Sequence, residues 1–227
     1  MSIEGICKKY GIKNYTIMDD GSIDVDGDVY INDEGLTELP LTFNKVQGEF
    51  SCVDNKLTDL KGSPKWVGGD FYCNDNELTS LEGSPESIGG GFYCGGNKLT
   101  SLEGSPNRID FDFDCGYNKL TSLEGSPKSI GGDFYCEYNN LTDLKGSPKE
   151  IGGHFYCFNN KLTDLKGSPK SIGGGFDCEY NPIESIFNDV DIDFIRAFKT
   201  FKVIKDGVID LKRLRYVMEM FDKPIDI

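Results

Sequence analysis

The segment Ile130-Gly-Gly-Asp-Phe-Tyr-Cys-Glu-Tyr-Asn-Asn-Leu-Thr-Asp-Leu-Lys-Gly-Ser-Pro148 is one copy of a motif that recurs every 21 residues along most of the chain. A fixed period of about 20–30 residues is typical of a solenoid, in which each unit buries its apolar side chains only by stacking on its neighbours. We therefore predict a β-rich solenoid of the α/β type, built from parallel strands.

Three columns of side chains mark the repeat, in the pattern Phe-x-Cys-x-x-Asn-x-Leu. Phe and Cys lie two residues apart, so they share one face of a strand and are predicted to point into the core. The buried asparagines are predicted to hydrogen-bond backbone groups of adjacent turns. The columns are Phe50, Phe71, Phe92, Phe113, Phe134, Phe155 and Phe176; Cys52, Cys73, Cys94, Cys115, Cys136, Cys157 and Cys178; and Asn55, Asn76, Asn97, Asn118, Asn139, Asn160 and Asn181.

Glycine and proline mark the corners of each repeat. Gly-Ser-Pro, as at residues 62–64, is turn chemistry and excludes a long helix on the outer side. The Gly-Gly pair before five of the strands, as at residues 68–69, is expected to permit positive φ and a close approach between turns. A degenerate copy, with Val29 and Ile31 in the Phe and Cys columns, precedes the seven regular ones, so the array is predicted to contain eight strand units.

The cysteines are predicted to be core residues rather than a chemical site. One Cys per repeat is not a disulfide framework, and the absence of a Cys-x-x-Cys pair argues against zinc or an iron–sulfur cluster. Residues 1–10 lack the apolar core of a signal peptide, and no apolar run is long enough to cross a bilayer. We expect a cytoplasmic protein with buried thiols, no cofactor and no membrane association.

Both ends of the array need covering, because a solenoid exposes apolar surface there. Residues 1–24 are predicted to form an N-terminal cap: a short helix, then a hairpin around Asp-Asp-Gly. Residues 25–181 are the solenoid. Residues 182–227 are predicted to form a C-terminal helical cap, with helices at 190–203 and 210–221, where apolar residues recur at near-helical spacing.

The motif Phe-x-Cys-x-x-Asn-x-Leu-Thr-x-Leu resembles the core of leucine-rich repeats, with Phe and Cys replacing two leucines. Its short period is similar to that of the bacterial subclass found in secreted effectors. The segment Leu-Glu-Gly-Ser-Pro-Lys-Ser-Ile-Gly-Gly resembles uncharacterised leucine-rich repeat proteins of tailed phages and giant viruses. The chain lacks the Leu-Pro-x-Leu-Pro of the effectors, so the resemblance implies a leucine-rich repeat scaffold and no effector activity.

Function is expected on the strand positions that face away from the core. These positions carry tyrosines and carboxylates, which in a leucine-rich repeat would tile the concave sheet, with Phe158 exposed near Tyr156 and His154. Tyrosine is enriched at binding hot spots, and carboxylates select Lys or Arg on a partner. The candidate partner-binding residues are Asp70, Tyr72, Tyr93, Asp112, Asp114, Asp133, Tyr135, Glu137, His154, Tyr156 and Phe158.

Two features of this face have competing interpretations. Aromatic residues suit strands and stack on one another, so the tyrosines could serve the sheet alone. In the fourth repeat, Asp110-Phe111-Asp112-Phe113-Asp114 replaces Gly-Gly-x-Phe-Tyr, which fits either a specific contact or a repeat that has drifted.

The net charge is −14, and most of it belongs to the repeats, which argues against binding of nucleic acid or anionic membranes. No nucleophile–base pair and no phosphate-binding glycine loop is present, so we expect no enzyme. We expect a protein-binding scaffold that captures a partner with a basic surface. If phage-encoded, it would act in the host cytoplasm, for example on a bacterial defence protein. The alternatives are a carbohydrate-binding module and an acidic mimic of nucleic acid.

Overall fold

Two ladders of short, mostly parallel strands run along the repeats, and in most turns a Gly-Gly pair joins a strand of one ladder to a strand of the other. The computed structural model describes residues 1–182, 204–205, 208–209 and 211–220. The β-rich solenoid with parallel strands predicted from the 21-residue period is confirmed: Phe71 pairs with Phe92, and Phe134 with Phe155, one repeat apart. Each repeat contributes two strands, however, where the motif alone predicted one.

The first ladder is a ten-stranded sheet that contains the Phe column. Its parallel strands are β3 (Val29–Tyr30), β5 (Phe50–Ser51), β7 (Phe71–Tyr72), β9 (Phe92–Tyr93), β11 (Phe113–Asp114), β13 (Phe134–Tyr135), β15 (Phe155–Tyr156) and β17 (Phe176–Asp177). At its C-terminal end, β19 (Val208–Ile209) pairs antiparallel with β17 and with β18 (Ile204–Lys205).

The second ladder precedes the Gly-Gly pair and falls into two sheets, of five and four strands. The five-stranded sheet holds β1 (Tyr15–Ile17), β2 (Ile23–Val25), β4 (Phe43–Val46), β6 (Trp66–Val67) and β8 (Ser87–Ile88). The four-stranded sheet holds β10 (Arg108–Ile109), β12 (Ser129–Ile130), β14 (Glu150–Ile151) and β16 (Ser171–Ile172).

The core is a set of columns enclosed by the two ladders. The phenylalanines are fully buried and stack from turn to turn, as with Phe113 and Phe134, whose ring centroids are 5.4 Å apart. All seven column cysteines are buried free thiols, which confirms them as core residues. Val29 and Ile31 occupy the Phe and Cys columns at the N-terminal end, as predicted.

The asparagine column ties each turn to its neighbours, as predicted. Asn97 Oδ1 accepts a hydrogen bond from the backbone N–H of Leu78, and its Nδ2 donates to the carbonyl oxygens of Cys73 and Cys94, at 3.0 Å in each case. One amide therefore satisfies backbone groups of two turns, which a buried apolar side chain could not do.

The Gly-Gly pairs allow adjacent turns of the solenoid to approach each other closely, and they have no other conformational role. Positive φ, expected there, occurs instead at the glycine of Gly-Ser-Pro, as at Gly62 (φ 89°). At Gly89 and Gly152, a Cβ atom would collide with the carbonyl oxygen of the equivalent residue one turn earlier, Gly68 or Gly131. The expectation of positive φ at Gly-Gly was therefore wrong, and inter-turn packing is the physical reason for these glycines.

The break between the five- and four-stranded sheets lies where Asp110 and Phe111 replace Gly-Gly. At the next step, the N–H groups of Lys128, Gly131 and Gly132 donate to the turn before them. Within the described residues, the equivalent bonds from residues 107, 110 and 111 to residues 86, 88 and 90 are absent. The two Cβ atoms exclude the close approach, so the second ladder separates here while the ten-stranded sheet continues through β9 and β11.

Two helices lie at the ends of the described chain. Helix α1 (Ile3–Lys9) begins after Ser2, whose side chain accepts from the Gly5 N–H, and it buries Cys7 in the core. The predicted N-terminal hairpin is present as β1 and β2. Helix α2 (Leu211–Met220) corresponds to the predicted helix at 210–221 and buries Leu214 and Val217, whereas the helix expected at 190–203 lies outside the described residues.

Candidate functional site

The tyrosines of the ten-stranded sheet form two stacked pairs on its outward face. The ring centroids of Tyr72 and Tyr93 are 4.7 Å apart, and those of Tyr135 and Tyr156 are 4.9 Å apart. Asp114 occupies the same column between the pairs, because the fourth repeat has Asp where its neighbours have Tyr. All four rings are half-buried, so the face presents ring edges and hydroxyl groups rather than a continuous ladder of open rings.

The aspartates that precede Phe71, Phe113 and Phe134 have a structural role besides their charge. Oδ1 of Asp112 accepts from the backbone N–H of Asp133 at 2.7 Å, and Oδ1 of Asp133 accepts from that of His154 at 2.6 Å. Asp70 makes the same bond to Gly91. Each carboxylate therefore bridges adjacent turns through one oxygen and leaves the other free to bind a second group.

That second oxygen holds a tyrosine hydroxyl in two repeats. Tyr72 donates to Oδ2 of Asp70 at 2.8 Å, and Tyr135 donates to Oδ2 of Asp133 at 3.0 Å. Burial, together with these acceptors, raises the pKa of Tyr72 and of Tyr135 well above the ordinary value. Burial also raises the pKa of Tyr93, to about 12. All three hydroxyls therefore remain protonated donors at neutral pH.

His154 lies beside Tyr156 on the outward face, as expected, whereas Phe158 does not have the exposed position expected of it. His154 replaces the aspartate of its column and takes over its role, since its Nδ1 accepts from the backbone N–H of Gly175 at 2.9 Å. Its ring lies 5.7 Å from that of Tyr156. Phe158, expected to be exposed beside these two, is half-buried and packs edge-on against Tyr138 at 5.6 Å. It belongs to a different group of aromatic residues.

Two carboxylates meet over a glycine at the centre of the face. A Cβ atom at Gly116 would lie 2.9 Å from Oε1 of Glu137 and 3.3 Å from Oδ1 of Asp114. Burial raises the pKa of Glu137 to about 7, with the charges of Asp114 and Asp177 adding to the effect, and burial raises the pKa of Asp114. Oε2 of Glu137 is buried without a hydrogen-bond partner in the part of the chain described. Two acidic side chains thus lie side by side here, and the raised pKa of Glu137 leaves it partly protonated near pH 7.

Three tyrosines outside the predicted set line the edge of this face. Tyr117, Tyr138 and Tyr180 all have left-handed backbone conformations, with φ of 53°, 52° and 55°. The remaining members of their column with positive φ are Asp33, Asp54, Asp75, Gly96 and Asn159. Aspartate, asparagine and glycine are the residues that tolerate this conformation. The sequence carried that signal, because the column two residues after Cys is otherwise restricted to these three types.

Tyr117 and Tyr138 stack with ring centroids 4.3 Å apart and remain 57% and 42% exposed. Together with Phe158 they form what we call the aromatic strip, which is the most exposed aromatic cluster of the central repeats. It flanks the Asp114–Glu137 carboxylates, so aromatic and acidic groups lie side by side on one surface.

The described side chains supply recognition groups more than reactive ones. Burial raises the pKa of Cys73 and the other column thiols well above the ordinary value, which leaves them protonated and unreactive. In the same residues, no group of three or more His, Cys, Asp or Glu side chains could hold a metal ion, and no helix is long and apolar enough to cross a membrane. Phenol donors, carboxylate acceptors and open aromatic rings dominate the outward face.

Comparison with protein-family models finds no match to this chain, and neither does comparison with the curated proteins.

Proposed function

We propose that this protein is a non-catalytic binding scaffold that captures a partner protein with a basic surface through the outward face of its ten-stranded sheet. The observation that carries the proposal is the position of Asp114 between two stacked tyrosine pairs, with the carboxylate of Glu137 beside it. A surface built for the sheet alone has no need of two neighbouring acidic side chains, one of which has a buried oxygen without a hydrogen-bond partner among the described residues.

The energetics of recognition favour this surface. Tyrosine rings held by hydrogen bonds to Asp70 and Asp133 lose little side-chain freedom when a partner binds, so their contact area contributes fully to affinity. The carboxylates attract lysine and arginine, and the net charge of −14 accelerates the encounter with a basic protein.

The biological setting follows from the resemblance to leucine-rich repeats. In a leucine-rich repeat these strand positions would tile the concave sheet, and the resemblance to phage and giant-virus proteins favours a host protein as the partner. On this proposal the protein acts in the host cytoplasm, where the column thiols stay reduced. A bacterial defence protein is one target of this kind.

Affinity capture tests the proposal. The native protein and a variant with Tyr72, Tyr93, Tyr135 and Tyr156 all changed to Ala are used as baits in a bacterial lysate. We expect a basic protein to be retained by the native bait, released by about 0.5 M salt because charges steer the contact, and lost from the variant. Tyr30→Ala, in the same column but in the first repeat, is the matched control and is expected to retain the partner.

The two alternatives give different results in parallel assays. A carbohydrate-binding module would bind sugars on a glycan array with little dependence on salt. A nucleic-acid mimic would compete with DNA for the captured protein, and it would lose this competition when Asp70, Asp112 and Asp133 are changed to Asn. Equal retention of every protein by the native bait and the four-tyrosine variant would contradict the proposed binding face.

A further inference from the structure

Tyr117 has a backbone conformation that its side chain disfavours. At φ 53° it occupies the left-handed region, in which bulky residues are uncommon, and the equivalent position in neighbouring repeats holds Asp75, Gly96 or Asn159. Strain of this kind persists where a side chain performs a task that a better-suited residue would not. Tyr138, which stacks on Tyr117, is in the same situation.

One face of the Tyr117 ring is covered and the other is open. Tyr138 stacks on the C-terminal side at 4.3 Å. On the N-terminal side, the next position of the column is Gly96, which has no side chain, and the residue before it is Gly95. The ring is 57% exposed. These two positions therefore add no side chain of their own on that side of the ring; we call the space between the Tyr117 ring and the side chains over Gly95 and Gly96 the Tyr117 slot.

The other walls of the Tyr117 slot are acidic. The carboxylate of Asp75 lies directly against Gly96, and Oδ2 of Asp114 would be 3.0 Å from a Cβ atom at Gly95. Both carboxylates therefore lie close to the two glycines, and burial raises the pKa of each. Lys98, two residues after Gly96, is bound to Glu77 at 2.8 Å and so does not neutralise this pair.

We propose that the Tyr117 slot receives an arginine side chain of the partner protein, with the guanidinium stacked on the open face of Tyr117 and hydrogen-bonded to Asp75 and Asp114. A guanidinium is planar, stacks on aromatic rings and binds carboxylates with a fork of N–H donors. An ammonium group is a compact, strongly hydrated charge that gains less from a ring face. The slot therefore selects arginine over lysine. This inference rests on the proposed function, whose partner it specifies.

Fluorescence titration with two peptides tests the slot without knowledge of the partner. Both are blocked nonapeptides with the same number of charges, one alternating Gly with Arg and the other alternating Gly with Lys. We expect the arginine peptide to bind the native protein at least threefold more tightly. Tyr117→Asn is expected to weaken its binding about tenfold, the loss that one stacked cation–π contact accounts for.

The asparagine substitution separates binding from folding. Asn suits the left-handed conformation, so Tyr117→Asn is expected to melt at the same temperature as the native protein or higher, whereas a merely structural tyrosine would lower that temperature. Tyr180→Asn is the matched control in the same column and is expected to leave peptide affinity unchanged, while Asp114→Asn is expected to weaken it.

Three outcomes would overturn the slot: no binding of the arginine peptide, equal affinity for the two peptides, or unchanged affinity in Tyr117→Asn. None of them bears on the four-tyrosine capture experiment. Failure of the slot with success of that capture would leave the binding face in place and assign it a different anchor. If the four-tyrosine variant loses the partner and the native protein prefers the arginine peptide, both the binding face and the Tyr117 slot are supported.

Discussion

Oδ1 of Asp70 accepts a hydrogen bond from the backbone N–H of Gly91, one repeat further along the chain, at 2.6 Å. The other oxygen of the same carboxylate accepts from Tyr72. One side chain therefore joins two turns, orients a tyrosine and carries a charge. Substitutions on this face must separate these three roles before any of them can be assigned to binding.

Two substitutions, Asp70→Asn and Asp70→Ala, separate the charge of Asp70 from its hydrogen bond to the next turn. Asn keeps an Oδ1 acceptor for the Gly91 N–H, so we expect its stability to remain within about 0.5 kcal/mol of native. Ala leaves the half-buried N–H without its partner and is expected to cost about 1–2 kcal/mol. Urea denaturation measures both. Equal losses would mean that the charge of Asp70, and not its hydrogen bond, supports the fold.

The break in the second ladder predicts a stabilising pair of substitutions. Changing Asp110 and Phe111 to Gly removes the two Cβ atoms that prevent close approach, so the hydrogen bonds absent at this step should form. We expect amide exchange at residues 107, 110 and 111 to slow markedly, with a net gain of about 1 kcal/mol after the entropy cost of two glycines.

Phe111→Ala is the control for this pair, because it removes the 57% exposed ring but keeps a Cβ atom. It is expected to leave amide exchange as fast as in the native protein. Slow exchange at these amides in the native protein would show that the two sheets are already joined there, contrary to the structure.

The cysteine column predicts uniformly inert thiols. Burial raises the pKa of Cys115 and of Cys136 well above the ordinary value, so they stay protonated even at pH 8.5, where about half of an ordinary thiol is ionised. We expect iodoacetamide to label none of the eight cysteines in the native protein and all eight in urea, as counted by intact mass. Rapid native labelling of the column would contradict its place in the core.

The raised pKa of Glu137 predicts that the free energy of unfolding depends on pH. Because the pKa of Glu137 is raised to about 7, its carboxyl group binds a proton more tightly in the folded state than in the unfolded chain, where the pKa of glutamate is about 4.3. Its stabilising contribution is therefore complete below about pH 4 and is lost as the pH rises through 7.

Glu137→Gln mimics the protonated carboxyl. We expect it to match native stability at about pH 4 and to exceed it at pH 8 by about 1 kcal/mol, allowing for the partial exposure of the side chain. Thermal denaturation at the two pH values measures the difference. A gain that is the same at both would show that the proton of Glu137 is not linked to folding.

The repeated columns could be predicted from the sequence because each one obeys a single physical rule. Phe134 and Cys136 had to share a strand face, and Asn139 had to find backbone partners. The second strand of each repeat was missed because Ser129 and Ile130 lack the alternation of apolar residues that Phe134 and Cys136 show. The pairing of β18 and β19 was also missed, although Asp206-Gly207 between apolar residues is a hairpin signal.

The candidate site was only partly accessible to sequence reasoning. The outward position of Tyr72 and Tyr135 follows from strand alternation, whereas the hydrogen bonds of Asp112 and Asp133 depend on a spacing between turns that only coordinates provide. The aromatic strip was missed because Tyr117 and Tyr138 depart from the Asp, Asn and Gly usual in their column. Departures from a local rule are the places where function is expected.

The most direct test of the binding face is a comparison of two variants with equal charge. In one, Asp70, Asp112 and Asp133 become Asn, which keeps their acceptor oxygens. In the other, Glu103, Glu124 and Glu150 become Gln, which removes three exposed charges outside that face. Affinity for the captured partner is measured by calorimetry at low and high salt. We predict a loss of at least tenfold for the Asp variant at low salt and less than twofold for the Glu variant. Equal losses would contradict the account, since net charge alone would then govern binding.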